Sequence, residues 1–435
     1  MIQIRRVSFD IAFLRPDRRT ARPASAQAAF SAGTAVVTDS GDSALVIVCA
    51  LLALLVVPGI ALAYAGQVRA ANILSATLQP LLVALAASLA WVIAGYTLAF
   101  GQVTSGWIGS GNAWMLLHLG NVRSGTTVPE SAFALFQIAI AVGAPALLTG
   151  AWAGRARLGW AFTFCTLWSL AVLAPAAHWL WGGGWLFTSV GTLDWAGGLT
   201  LRTSAGVSAL VCAAMLGRGR DHAHPSAPSP YALLAPLGAM LASLGLLGIS
   251  AGWALGANDD SSSAIIAAYA GVAAGTLAWL LIGCLRREPL TAQDLARAVI
   301  AASAALSAPA GYVSPGGAIA IGVIATVLAR FADRALARSP IDDRLGVFAG
   351  NAVAGAAGAL LLAPFLNPTL GGTGYRAGMS LVAQLAAQGI GILVITVWSL
   401  VMSVILAVMI SVIFPMRVSE DAELQGLDPS VHTRR

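Results

Sequence analysis

Eleven runs of apolar residues follow one another along the chain, each close to the roughly 20 residues that cross a bilayer as a helix. They lie at about 43–64, 77–100, 131–152, 158–181, 196–217, 231–256, 262–284, 293–312, 316–335, 344–366 and 384–414. In hydrocarbon every backbone N–H and C=O must be paired internally, which confines a spanning chain to helices or a closed barrel. Continuous runs of this length are helical, so the expected fold is an all-α integral membrane protein with eleven transmembrane helices. The composition agrees: 58% of the 435 residues are hydrophobic and 10% are charged, against about 25% charged in a soluble domain. The last run exceeds a straight span, which requires tilt or a start outside the hydrocarbon.

Every second connection is basic: Arg69; Arg155 and Arg157; Arg218 and Arg220; Arg286 and Arg287; Arg334 and Arg338; then Arg417. The intervening loops hold Arg123, Arg376 and the acidic pair Asp259–Asp260. Short basic loops stay on the cytoplasmic side. The C-terminus is therefore expected in the cytoplasm, with the start of the first helix outside a cytoplasmic (inner) membrane. Residues 1–40 carry six arginines against this orientation and lack the apolar core of a secretory signal; an atypical signal, a basic tail and an over-extended start site all remain open. The expected division is 1–40 as that segment, 41–415 as the membrane domain and 416–435 as a C-terminal tail.

Several functions are excluded. The net charge is +6, but the arginines stand singly or in pairs between apolar runs, so no nucleic-acid surface forms. There is no P-loop, no Gly-x-Ser-x-Gly and no HExxH, so neither an enzyme nor a cofactor or metal is expected; His222 and His224 beside Asp221 read as a solvated loop. Cys49, Cys165, Cys212 and Cys284 lie in apolar runs without CxxC spacing and read as small buried hydrophobes.

One residue resists the apolar pattern. Arg202 sits in the run 196–217, after the stretch His178-Trp-Leu-Trp181-Gly-Gly-Gly184 and Leu193-Asp194-Trp195-Ala-Gly-Gly198. A charge at such depth is costly and faces a protein interior or a pore. Asp194, ahead of the helix, can cap its free N–H groups at the positive end of the helix dipole. Asp194, Gly198 and Arg202 recur at intervals of four and so share a helix face. On that spacing Gly198 leaves room for Arg202 to lean toward Asp194, and Asn351 or backbone carbonyls take the remaining donors.

Other segments stand in a fixed order around these: Pro58-Gly59 to Tyr64-Ala-Gly66, Asn72 to Ser75 and Gln79, Gly95-Tyr96 to Gly101, Phe136-Gln137, Tyr312-Val-Ser314-Pro315 and Asp342-Asp343-Arg-Leu-Gly-Val-Phe348. The tail runs from Arg417 through Glu420, Glu423, Gly426 and Asp428 to His432. Together, over residues 42–432, these segments resemble the ammonium transporter/Rh channel family. The resemblance implies a homotrimer, two inverted five-helix repeats plus a C-terminal helix, and ammonium or ammonia as the small solute. It also implies a cytoplasmic tail that cooperates with a PII-type signalling protein.

Carried over position by position, Trp181 matches the family's vestibule tryptophan and Asp194 the aspartate supporting the vestibule. The conduction residues differ. Arg202 and Asn351 stand at the two pore-histidine positions, Ile140 (four residues past Phe136) and Ile249 at the two gate phenylalanines, and Trp253 at a vestibule serine. Two functions fit: a channel-type transporter of ammonium or a similar solute without paired histidines, or a non-conducting relative serving as sensor or regulatory subunit. Arg202 is either a staple between the fifth and tenth helices or an element of an altered pore.

Overall fold

The computed structural model describes residues 38–111, 114–117, 119–220 and 229–432. Most of the basic N-terminal segment, and the loop with Asp221, His222 and His224, lie outside these residues. Among the described residues ten helices are long and apolar enough to cross a membrane. They are α1 Ser40–Ala65, α2 Ala70–Phe100, α3 Glu130–Trp152, α4 Leu158–Leu180, α5 Gly198–Leu216, α6 Leu234–Gly252, α7 Asp259–Leu285, α9 Pro315–Ala337, α10 Phe348–Phe365 and α11 Leu381–Ile413.

Eleven such helices are not confirmed among the described residues. The run at 293–312 yields α8, Ala292–Ser307, a helix of 16 residues. At 1.5 Å per residue it is ~24 Å long, short of the ~30 Å hydrocarbon core. The helix stops at Ser307: Pro309 brings no N–H to continue it, and the carbonyls of Ser307 and Ala308 accept instead from the N–H groups of Ala196 and Trp195, at 2.6 and 3.0 Å. Helix α8 is nonetheless deep in the bundle, with Ala298, Ala301, Ala302, Ala304 and Ala305 buried.

Local chemistry sets the helix starts. Asn258 accepts from the N–H groups of Asp260 and Ser261 in a capping box that opens α7, as the free donors of a first turn require. Ser314 caps α9 with Pro315 behind it, and Ser380 caps α11. Lateral packing depends on small residues, which let backbones meet where lipid supplies no hydrophobic drive. Helices α7 and α9 touch at Gly322, where a Cβ would stand 2.1 Å from the carbonyl oxygen of Gly271. Leu85, Leu89, Leu277 and Val412 point outward and exposed, a surface suited to lipid. Cys49, Cys165 and Cys212 are buried, whereas Cys284 is exposed; it lies in the last turn of α7 beside the outward Leu281 and Leu285.

The connections gather at two ends of the bundle. One end, the tail face, collects residues 66–72, 153–157, 217–219 and 339–346 under the C-terminal tail. Arg155, one of the loop arginines used to orient the chain, is fully buried here. It donates to the carbonyls of Gly217 (2.6 Å) and Asp342 (2.6 Å) and pairs with the Asp342 carboxylate at 3.2 Å. At the opposite, far face, a short hairpin of β1 Gln102–Thr104 and β2 Ile108–Ser110 leads toward α3. There Gln388 of α11 pins the chain just before Asp194, accepting from the N–H of Leu193 and donating to its carbonyl.

Candidate functional site

Helices α5 and α10 each open with a π-helical turn, Gly198–Thr203 and Phe348–Val353, a geometry found often at functional sites. They cross antiparallel over these first turns. A Cβ at Gly355 would stand 2.6 Å from the carbonyl oxygen of Gly198 and 3.0 Å from Arg202 Cβ; one at Gly206 would stand 2.5 Å from the backbone nitrogen of Ala352. The two glycines therefore set how closely the helices approach, and the crossing brings Arg202 to Asn351. Arg202 Nη1 donates to Asn351 Oδ1 at 3.2 Å, and Asn351 Nδ2 donates to the carbonyl of Val347 at 3.1 Å.

The two helix starts are built alike. Asp194 Oδ2 accepts from the N–H of Leu199 (3.1 Å), the N–H of Thr200 (2.8 Å) and the Thr200 hydroxyl (2.8 Å). Asp343 Oδ2 accepts from the N–H of Phe348 at 2.7 Å. In both, the glycine three residues on has positive φ, +90° at Gly197 and +71° at Gly346, which only glycine adopts readily. Asp194-x2-Gly197-x4-Arg202-x3-Gly206 thus repeats as Asp343-x2-Gly346-x4-Asn351-x3-Gly355, at the offset of 149 residues that separates Arg202 from Asn351. Hydropathy cannot show this repeat because both copies lie in apolar runs; the Asp–Gly–polar–Gly spacing is the signal that finds Asp343, Gly197, Gly346, Gly206 and Gly355.

The geometry changes one expectation. Gly198 does not make room for Arg202 to reach Asp194; a Cβ there would meet Ala308 at 2.7–2.8 Å, so its bareness admits the end of α8. No ion pair joins Arg202 to Asp194 among the described residues. Arg202 turns instead to Asn351.

Toward the far face stands an aromatic group. Trp181 donates through Nε1 to the Asp194 carbonyl at 2.7 Å. Its ring lies 4.6 Å from that of Trp253, which in turn meets Phe136 at 6.0 Å, edge to face. Phe136 has its place because Gly252 is bare: a Cβ there would be 2.4 Å from two ring atoms. Ile140 and Ile249, one turn deeper on α3 and α6, are buried in the same apolar cluster. Gln137 is buried with Nε2 unpaired. Trp253 therefore covers part of the Trp181 face that cation–π attraction would use.

The tail closes the other end. Arg417 pairs with the buried Glu423 at 2.9 Å and donates to the carbonyls of Leu216 and Arg218. Glu423 also accepts from the N–H of Arg220 at 2.7 Å. Asp428 accepts from the N–H groups of Leu74 and Ser75 and the Ser75 hydroxyl, at 2.7–2.8 Å. Gly426 packs on Ala71 with φ +105°. Both oxygens of Glu423 are thus used within the chain, while Glu420 and Asp421 remain exposed.

Burial pushes the carboxyls of Asp194 and Asp343, ordinarily 3.8, up to about 6, against their hydrogen bonds, which lower them. The folded protein therefore binds protons more tightly than the unfolded chain between pH 3.8 and 6. Stability falls as pH rises through that window and is flat above it, by roughly 3 kcal/mol per carboxyl. Melting of the detergent-solubilised protein from pH 4 to 7 checks this: Asp343→Asn, which keeps an acceptor for Phe348, is expected to flatten the decline. An unchanged slope would remove Asp343 as its source.

Comparison with known proteins matches residues 44–435 to the model of the Ammonium Transporter Family. The chain is 34% identical to the ammonium transporter of Aquifex aeolicus over 399 residues, covering 91% of this chain and 92% of that protein. It is 32% identical to the ammonium transporter of Bacillus subtilis over 401 residues, 90% and 97% of the two chains. Among solved structures it is similar to a Sensor Amt Protein, with TM-score 0.84, 25% identity, and coverage of 90% of this chain and 98% of that one. It is also similar to Mep2 of Candida albicans, with TM-score 0.81, 27% identity, and coverage of 88% and 87%.

Proposed function

Because the chain belongs to the Ammonium Transporter Family, we propose that it moves ammonium, ammonia or a similarly small solute across the membrane its helices span. What carries this reading is the extent of the match, which runs through the whole bundle and the tail. In this reading the tail face is cytoplasmic, the membrane is the inner (cytoplasmic) one, and three copies assemble as a homotrimer. Trp181, Trp253 and Asp194 form the vestibule; Phe136, Gln137, Ile140, Ile249, Arg202 and Asn351 line the route below it. Residues 416–435 act as a regulatory tail held by Arg417, Glu423, Gly426 and Asp428, with Glu420 free for a neighbouring subunit or a PII-type protein.

One observation favours a second reading. The Arg202–Asn351 bond places a permanent cation where α5 and α10 cross, which suits a non-conducting relative serving as sensor or regulatory subunit. Methylammonium uptake by the purified protein in proteoliposomes decides between them. Uptake above that of empty vesicles is the expected result. Background uptake from protein that is still folded would overturn transport in favour of the second reading.

A further inference from the structure

Helices α8, α9 and α10 meet near the tail face around one ion pair. Arg297, in the second turn of α8, and Asp333, in the last turns of α9, join at 3.1 Å, with side chains 31% and 19% exposed. The pair lies over Gly346, in the connection that leads into α10. A Cβ there would stand 2.8 Å from Asp333 Oδ1 and 3.9 Å from Arg297 Nε, so the bareness of Gly346 is what admits the carboxylate. Arg297 holds Asp333 by one bond, from Nη1 to Oδ2, and its Nε is buried without an acceptor. The two-bond fork that makes an arginine–carboxylate pair strong is therefore not used, and a partly exposed pair contributes little to stability. Such a contact opens readily.

Behind the pair lies a cavity of ≈ 10 Å³, room for about one water or a solute of that size. Arg297 and Asp333 line it together with Gly346, of the tail-face connection 339–346, and with Tyr64, Val347 and Asn351. Tyr64, Val347 and Asn351 are buried. The inner wall is thus the Asn351 that bonds Arg202 at the crossing, and the outer wall is the partly exposed pair. Among the described residues no other charged side chain lines this cavity.

We propose that the Arg297–Asp333 ion pair is a gate at the tail-face end of the route past Asn351. Closed, as in this structure, it seals a chamber for one small solute from the tail face. Open, it lets that solute through and leaves the Asp333 carboxylate to accept hydrogen bonds from an ammonium ion. The route rests on the transport reading above; the closing of the chamber by the pair does not.

The test reads access to the chamber in the full-length protein in detergent, with the exposed Cys284 changed to Ser. Gly350→Cys places a thiol in the chamber wall, where a Cβ meets only Ile300 Cγ2, at 3.8 Å. Methyl methanethiosulfonate, small and uncharged, labels that thiol, and the mass of the intact protein follows the reaction in time. Arg297→Ala or Asp333→Ala is expected to speed labelling about fivefold, the effect of losing a partly exposed pair. Arg297→Met, which keeps the bulk and loses the pair, should label as fast as Arg297→Ala, and Arg297→Lys, which keeps the pair, should stay slow. Equal rates in paired and unpaired proteins overturn the gate, and so does an Arg297→Met protein that labels as slowly as the paired one. Should Gly350→Cys fail to fold, Ile300→Cys carries the thiol on another wall of the same cavity, and the same comparison decides. Methylammonium uptake is read separately. A labelling difference with uptake at background keeps the closure and overturns transport, whereas uptake with equal labelling rates overturns the gate alone.

Discussion

Gly355→Leu is expected to destabilise the bundle by about 3 kcal/mol, the upper range for overpacking a close-packed interior. The new side chain would begin with a Cβ 2.6 Å from the Gly198 carbonyl oxygen and 3.0 Å from Arg202 Cβ. Both obstacles are fixed, since one is backbone and the other a side-chain root on a facing helix, so α10 would have to withdraw from α5. The Arg202–Asn351 bond would break with it, leaving a buried guanidinium without its acceptor. Gly350→Ala on the same helix is the control: a Cβ there meets only Ile300 Cγ2, at an ordinary 3.8 Å, and alanine favours helix over glycine by up to ~1 kcal/mol. Heating both variants in detergent and measuring the fraction that still elutes as a single folded species checks the pair. Equal survival would mean that the crossing is not the tight contact described.

The helices were legible because their signal is local: each run needs only its own length and apolarity. The helix starts at Asn258, Ser314 and Ser380 are set by caps within a few residues of one another. What the run lengths could not give was where α8 ends, since the carbonyls of Ser307 and Ala308 bond the N–H groups of Ala196 and Trp195, more than a hundred residues away. Arg155 was legible as a basic loop residue but not as a buried one, because its partners come from Gly217, Asp342 and the tail. At the site, the resemblance placed Arg202 and Asn351 at paired positions, and the repeated Asp-x2-Gly-x4-polar-x3-Gly spacing gives the physical reason: two helices with the same capped start meet head to head. The direction in which Arg202 points was not legible. Spacing on one helix face suggests Asp194, but Oδ2 of that carboxylate bonds the N–H groups of its own helix, and only the fold shows that Arg202 bonds Asn351.

Arg202→His combined with Asn351→His is expected to raise ammonium or methylammonium flux by about a thousand-fold over wild type. A cation passing within 4 Å of a fixed guanidinium meets a repulsion of about 4 kcal/mol at an effective dielectric of 20, and each 1.36 kcal/mol is roughly a tenfold change in rate. A neutral imidazole removes that charge and can both accept and donate a proton along a narrow path. It is also shorter than arginine, so the crossing loses its bulkiest obstruction, while Gly206 and Gly355 still hold the helices together. The aromatic group of Trp181, Trp253 and Phe136 is unchanged in this variant, which separates the two barriers. A thousand-fold gain assigns the barrier to the charge at the crossing. No gain, from folded protein whose wild type is also silent, would move the barrier outward to the rings, where Trp253 covers Trp181. Equal and robust flux in both proteins would show that the solute does not pass Arg202 at all, and the crossing would then be a staple between α5 and α10 and nothing more.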